Sequence, residues 1–175
     1  MHHIRHSTIG DVLIDVVSGD ITQAQAEAVV AAANRHLAGG GGVDGAIHRA
    51  AGPQLLKALR PLTPCEVGGA VVTPAFNLPA PIRYVVHAVG PRYGVDEPAD
   101  ELLRNAYLAA LRRCDEVGAR SVAFPSISTG AYGFPLEHAC ALSVAALRAA
   151  DTDVERCLLV AFDDRTHRHW QTALG

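Results

Sequence analysis

The chain holds a single lysine, Lys57, so arginine carries nearly all of its positive charge, and the net charge is still −3. A broad basic face that grips a phosphate backbone is therefore excluded, and direct nucleic-acid binding is not expected. No apolar run nears the ~20 residues of a membrane span. The opening Met1-His2-His3-Ile4-Arg5-His6 lacks the apolar centre of a signal peptide. Membrane association is not expected, and the expected location is cytoplasmic. Cys65, Cys114, Cys140 and Cys157 contain no C-x-x-C pair, which favours buried free thiols over disulfides or zinc. No G-x-x-x-x-G-K-[ST] is present, which argues against a P-loop nucleotidase. Neither Ser126 nor Ser128 has a glycine two positions before it, as the G-x-S-x-G elbow of a serine hydrolase requires.

What is there describes one globular domain. The 175 residues match the usual ~100–200 per domain and suffice for a real core. Hydrophobic residues make up 49% and charged residues 19%, outside the disordered range. No repeat or linker interrupts the chain. Residues 1–10 are expected to be a frayed or edge segment, and no structural metal site is expected from its histidines at 2, 3 and 6. Beyond them, strand-like and helix-like segments alternate, which predicts an α/β fold with a largely parallel sheet. Strands are expected at 11–18, 28–33, 70–75, 82–89, 121–124 and 157–162. Helices are expected at 44–59, interrupted near Gly52-Pro53, and at 100–117, 135–150 and 165–174. A capping box at Thr22 and Gln25 predicts a further short helix.

In open α/β sheets ligands bind beyond the carboxyl ends of the strands. The residues at those ends are Gly19-Asp20-Ile21, Asn34 with the Gly39–Gly42 loop, Gly90-Pro91, Ser126 to Phe134, and Asp163. Four adjacent glycines before a helix let backbone amides approach an anion, so a phosphate is the natural guest. Residues 40–45 formally satisfy G-x-G-x-x-G. The loop lies several residues beyond its strand, however, and Asp44 inside the motif would repel a pyrophosphate, so a dinucleotide fingerprint is disfavoured. The segment Ser126-Ile127-Ser128-Thr129-Gly130-Ala131-Tyr132-Gly133 is either a second phosphate clamp or an ordinary turn. Asp44 reads as a helix N-cap or a catalytic carboxylate, and Asn34 as a turn former or a ligand. His48 shares a helix face with Asp44, which leaves a metal-binding pair conceivable. His87 reads as a hydrogen-bonded core histidine, Asp20 as a turn or cap residue with a ligand role open, and Phe162 as core rather than a stacking platform.

Together, Gly19-Asp20-Ile21-Thr22, Ala32-Ala33-Asn34, Gly39 through Gly52, His87-Ala88-Val89-Gly90-Pro91 and Ala123 through Pro135 resemble a macrodomain of the hydrolase-type MacroD group. The motifs run in family order over most of the chain. The resemblance implies a single three-layer α/β/α sandwich with a mixed, largely parallel sheet. Its ligand would be ADP-ribose, free or on a modified protein, with no cofactor or metal and with a monomer favoured. It further implies that Asp20 bonds the adenine amino group and Ile21 lines that pocket, with Phe162 on the ring and Asp163 nearby. Gly40, Gly41, Gly42 and Val43, with Ser128, Thr129, Gly130, Ala131, Tyr132, Gly133 and Phe134, would enclose the pyrophosphate and distal ribose. Asn34 would orient the ribose hydroxyls, and Asp44 would position the attacking water. The implied reaction is hydrolysis of ADP-ribose esters on acidic side chains, or of O-acetyl-ADP-ribose. A non-catalytic reader or sensor, or a phosphatase acting on ADP-ribose 1″-phosphate, is the alternative. The chain departs from the family at Ala31, where an Asn is common, at Cys65-Glu66-Val67-Gly68, at Ala88 in place of a common Thr, and at Arg35-His36.

Overall fold

A computed structural model describes residues 12–175. The segment expected to fray, and the histidines within it, lie outside the described residues. Six strands form one mixed sheet: β1 (Leu13–Ser18), β2 (Ala28–Ala33), β3 (Ala70–Pro74), β4 (Tyr84–Val89), β5 (Ser121–Phe124) and β6 (Arg156–Ala161). The order is β1-β6-β5-β2-β4-β3, and only the β3–β4 pairing is antiparallel. β3 is an edge strand, which is why Pro74 can end it without costing a ladder bond. The helices are α1 (Gly42–Ala51), α2 (Gln54–Leu59), α3 (Ala99–Val117), α4 (Leu136–Ala149) and α5 (Asp164–Leu174).

Alternation along the strands builds two cores. Val30, Val86 and Ala88 face one way, against Leu103, Tyr107 and Leu111 of α3, Val144 and Leu147 of α4 and Trp170 of α5. Val29, Ala31, Val85 and Val89 face the other way, against Ile47 and Ala51 of α1 and Leu55 and Leu59 of α2. The inner strands, buried on both faces, accordingly read as near-continuous apolar runs. The three-layer architecture is thus the one the family resemblance implies. Fully buried polar tips find partners: the Trp170 indole donates to Ser143 Oγ at 3.0 Å, and that hydroxyl donates to the Cys140 carbonyl at 2.8 Å. All four cysteines are buried and free. Burial pushes the Cys114 and Cys140 thiols up to about 12, so they act as small hydrophobes.

Several local expectations are corrected. Thr22 does not cap a helix. The Asp20 carboxylate accepts from Thr22 N at 2.9 Å and caps a single 3-10 turn, Ile21–Gln23. Asp44 is not the N-cap of α1; that place belongs to Gly41, and Asp44 lies inside the first turn. The interruption expected near Gly52-Pro53 is present: α1 ends at Ala51 and α2 begins at Gln54. Pro135 precedes α4 rather than opening it. Gly118 ends α3 in the left-handed conformation, as expected of a helix-stopping glycine.

Candidate functional site

The carboxyl ends of β1, β2, β4, β5 and β6 open onto one cavity of about 920 Å³. That lies within the range of sites for nucleotide-sized ligands. The glycine loop and the first turn of α1 form one wall, and residues 125–132 form the other. Asp20, Ile21, Phe162 and Asp163 line one end. Every ligand-contacting residue that the resemblance implies lines the cavity except Gly133 and Phe134, whereas His48 and His87 do not line it. Phe134 is instead buried, its ring 4.9 Å from Tyr93 and 5.7 Å from His138. It anchors the loop from below, and its amide closes the turn by donating to the Ser128 carbonyl at 2.9 Å.

Phe162 corrects the core reading: it is 81% exposed, directly after β6. A large apolar ring left in water at a cavity mouth has no packing reason to be there. Asp20 lines the cavity and takes both bonds from Thr22, backbone and hydroxyl, on Oδ1. Asp163 caps α5 by accepting from Thr166 N at 2.8 Å, and this bond holds its carboxyl below the usual carboxylate range. Sequence reasoning missed Arg165 and Thr166, which follow that cap and line the same end. No motif marks them; the turn into α5 brings them there.

The two loops are tied down differently. Asn34, at the end of β2, holds the glycine loop: its amide donates to the Gly39 carbonyl at 2.9 Å, and its Oδ1 accepts from His36 N at 3.1 Å. The turn-former reading is therefore right, and Asn34 also faces the cavity. Gly45 of α1 supports the same loop, because a Cβ there would overlap the Gly40 carbonyl. The opposite loop rests on Tyr107 of α3. Its buried hydroxyl donates to the Pro125 carbonyl at 3.2 Å and accepts from Ile127 N at 3.1 Å. Gly90, at the end of β4, lies under this loop, where a Cβ would overlap Ser128 Oγ and Ile127 Cγ2. Ser128 itself has φ +69 and a buried hydroxyl with no partner among the described residues. Strain and an orphaned polar group at a cavity wall mark a contact surface.

Asp44 lies between the loops, 5% exposed. Burial raises its pKa, against the opposing pull of His48, whose Nε2 lies 3.5 Å from Oδ1. His87 of β4 stands behind them, its ring 6.3 Å from that of His48. It is the hydrogen-bonded core histidine expected, with Nε2 3.0 Å from Thr73 Oγ1. Burial, reinforced by His48, pushes it down to about 3, so it is neutral. One carboxylate oxygen and one nitrogen from each ring lie within 4.8 Å of one another. These donor types could accept a divalent transition metal.

Among the described residues, Arg165 is the only Arg or Lys lining the cavity, against three carboxylates. An anion there must be held by backbone amides and by the N-terminus of α1, where the first N–H groups have no intrahelical partner. Two small-residue loops with a carboxylate between them, at the carboxyl ends of a largely parallel sheet in a three-layer α/β/α sandwich, are the features of a macrodomain. The chain belongs to the Macro domain family, whose model matches residues 30–143. It is 49% identical over 167 residues to a macro domain-containing protein of Lactiplantibacillus plantarum, covering 93% of this chain and 96% of that one. It is 46% identical over 158 residues to O-acetyl-ADP-ribose deacetylase 1 of Pantoea vagans, covering 86% and 91%. A variant of the Oceanobacillus iheyensis macrodomain with ADPR superposes with a TM-score of 0.88 at 37% identity, covering 98% of this chain and 96% of that one.

Proposed function

We propose that this macrodomain binds ADP-ribose and hydrolyses esters on its distal ribose. The substrates would be ADP-ribose on Asp or Glu side chains of modified proteins, or O-acetyl-ADP-ribose. The observation that carries the reading is Asp44. A buried carboxylate with a raised pKa, set between the two anion-holding loops, is equipped as a general base. The deacetylase name of the Pantoea relative supports the ester class, and the ADPR-bound neighbour supports the ligand.

In this reading Phe162 stacks on adenine and Asp20 Oδ2 accepts from its amino group. The amides of Gly40 to Val43 and of the loop from Ser128 to Tyr132 surround the pyrophosphate. Asn34 keeps one amide hydrogen for the distal ribose. Asp44 orients a water toward the acyl carbon and takes its proton as the new C–O bond forms. The bond from the acyl carbon to the ribose oxygen then breaks, and the proton passes to that oxygen. The products are ADP-ribose and a free carboxylic acid.

The test is release of ADP-ribose from a glutamate-linked modified protein, with Asp44→Ala and Asn34→Ala alongside. Release that disappears in the Asp44 variant while ADP-ribose still binds is the expected result. Binding without release in the unaltered protein would make it a reader. Phosphate release from ADP-ribose 1″-phosphate well above ester hydrolysis would make it a phosphatase.

A further inference from the structure

Behind Asp44, the Thr73 hydroxyl donates to the Pro74 carbonyl at 3.1 Å. With its proton so directed, Thr73 Oγ1 is an acceptor for a proton on His87 Nε2, 3.0 Å away, and this arrangement favours the Nε2–H tautomer, with Nδ1 left as a lone pair. That atom is fully buried and has no partner among the described residues. Asp44 Oδ1 is likewise buried without a hydrogen-bond partner. Both orphaned acceptors lie near the His48 ring: its Nε2 is 3.5 Å from Asp44 Oδ1, and its centroid is 6.3 Å from that of His87. A ring nitrogen of His87 falls within 4.8 Å of both His48 and Asp44. The neighbour of His87 in the sheet is no substitute donor, because Ala31 stands directly beside it in register and is also fully buried.

We propose that His87 is a positioning residue for Asp44: locked in one tautomer by Thr73, it orients the His48 ring, and His48 in turn sets the Asp44 carboxylate. The chain runs from the edge strand β3 through β4 to α1. It makes the orientation of the Asp44 carboxylate depend on a threonine that does not line the cavity. The proposal rests on the hydrolase reading for its kinetic consequence, but not for its geometry.

Two measurements separate the one from the other. The first uses ¹⁵N-labelled imidazoles in the unaltered protein, where NMR reads the tautomer directly. His87 is expected as neutral Nε2–H at neutral pH; a proton on Nδ1 would overturn the proposal whatever the enzyme does. The second uses Thr73→Val, which keeps the shape and removes the anchor. Its kcat for ester hydrolysis is expected to fall roughly tenfold, the scale of a misplaced catalytic group, with ADP-ribose affinity within about twofold of normal. In a His48→Gln background the same substitution is expected to have no further effect, since the link is already cut. Losses that multiply in the double variant would show that Thr73 acts by another route and overturn the coupling. If the unaltered protein turns over no ester, the hydrolase reading fails. The ¹³C titration of the Asp44 carboxylate then carries the test: it is expected to move in Thr73→Val, and an unmoved titration overturns the proposal. Activity that a chelator abolishes and added zinc restores would also overturn it, by assigning the lone pairs to a metal.

Discussion

At Asp44 two demands conflict. The proposed reaction needs the carboxylate charged, whereas burial favours the neutral acid and raises its pKa. Folded protein then holds the proton more tightly than unfolded chain, so this group's contribution to stability is lost as pH rises through its raised pKa. Asp44→Asn is therefore expected to raise the thermal midpoint at pH 7 while cutting turnover about 10²–10⁴-fold, the usual worth of a general base. A calorimetric scan beside the ester assay checks both. By the same logic, kcat is expected to climb with pH until Asp44 is fully ionised and then level off, and Asp44→Asn abolishes that limb. Phe162 behaves oppositely: at 81% exposure it contributes little to folding. Phe162→Ala is expected to leave the thermal midpoint unchanged and to weaken ADP-ribose binding by about 1–3 kcal/mol, the worth of one stacked base, readable by titration calorimetry.

The elements shape the cavity through their loop stems. The loop at 126–133 is legible in sequence as small residues, but its support is not. Tyr107 sits mid-helix at an ordinary core spacing, and nothing in α3 distinguishes it from Leu103 or Leu111. Only the packing of α3 on the sheet, with the Tyr107 ring 5.2 Å from that of Phe124, puts its hydroxyl between Pro125 and Ile127. Tyr107→Phe orphans the buried Ile127 amide, at a cost of about 1–3 kcal/mol. It is expected to lower the denaturation midpoint and to loosen ADP-ribose binding more than Leu111→Ala does at matched stability. Gly90 makes the complementary case. A Gly90→Ala methyl would collide with the loop, so binding is expected to fall while β4 keeps its pairing. Amide exchange of residues 85–89 against 126–132 separates the two.

At the scale of the molecule, His87 imposes a pH dependence. It is pushed down to about 3 in the fold from an ordinary value of 6.5, so below 6.5 the unfolded chain takes a proton that the folded one refuses. Stability from this group is complete above 6.5 and is lost as pH falls toward 3, by up to about 1.4 kcal/mol per pH unit. Urea unfolding between pH 4 and 7 is expected to show that slope, and His87→Gln to flatten it. Asp44 contributes the opposite sign over its own range, so the comparison is cleanest in an Asp44→Asn background.

The sequence by itself determined the layered α/β architecture, because alternating apolar strands and amphipathic helices leave few other ways to bury both faces of a sheet. It also marked most of the cavity wall, since glycine runs and small-residue loops at strand ends are local signals of backbone approaching a ligand. Tertiary structure decided the rest. Gly133 and Phe134 belong to the same motif as Ser128, yet the turn closed by the Phe134 amide sends that ring into the core. Phe162 ends an apolar strand like any core residue, and only the end of pairing at Ala161 leaves it in water. Asp44, His48, His87 and Thr73 come from three separate elements. No spacing in the chain announces their meeting, because it is set by strand register and by the packing of α1 on the sheet.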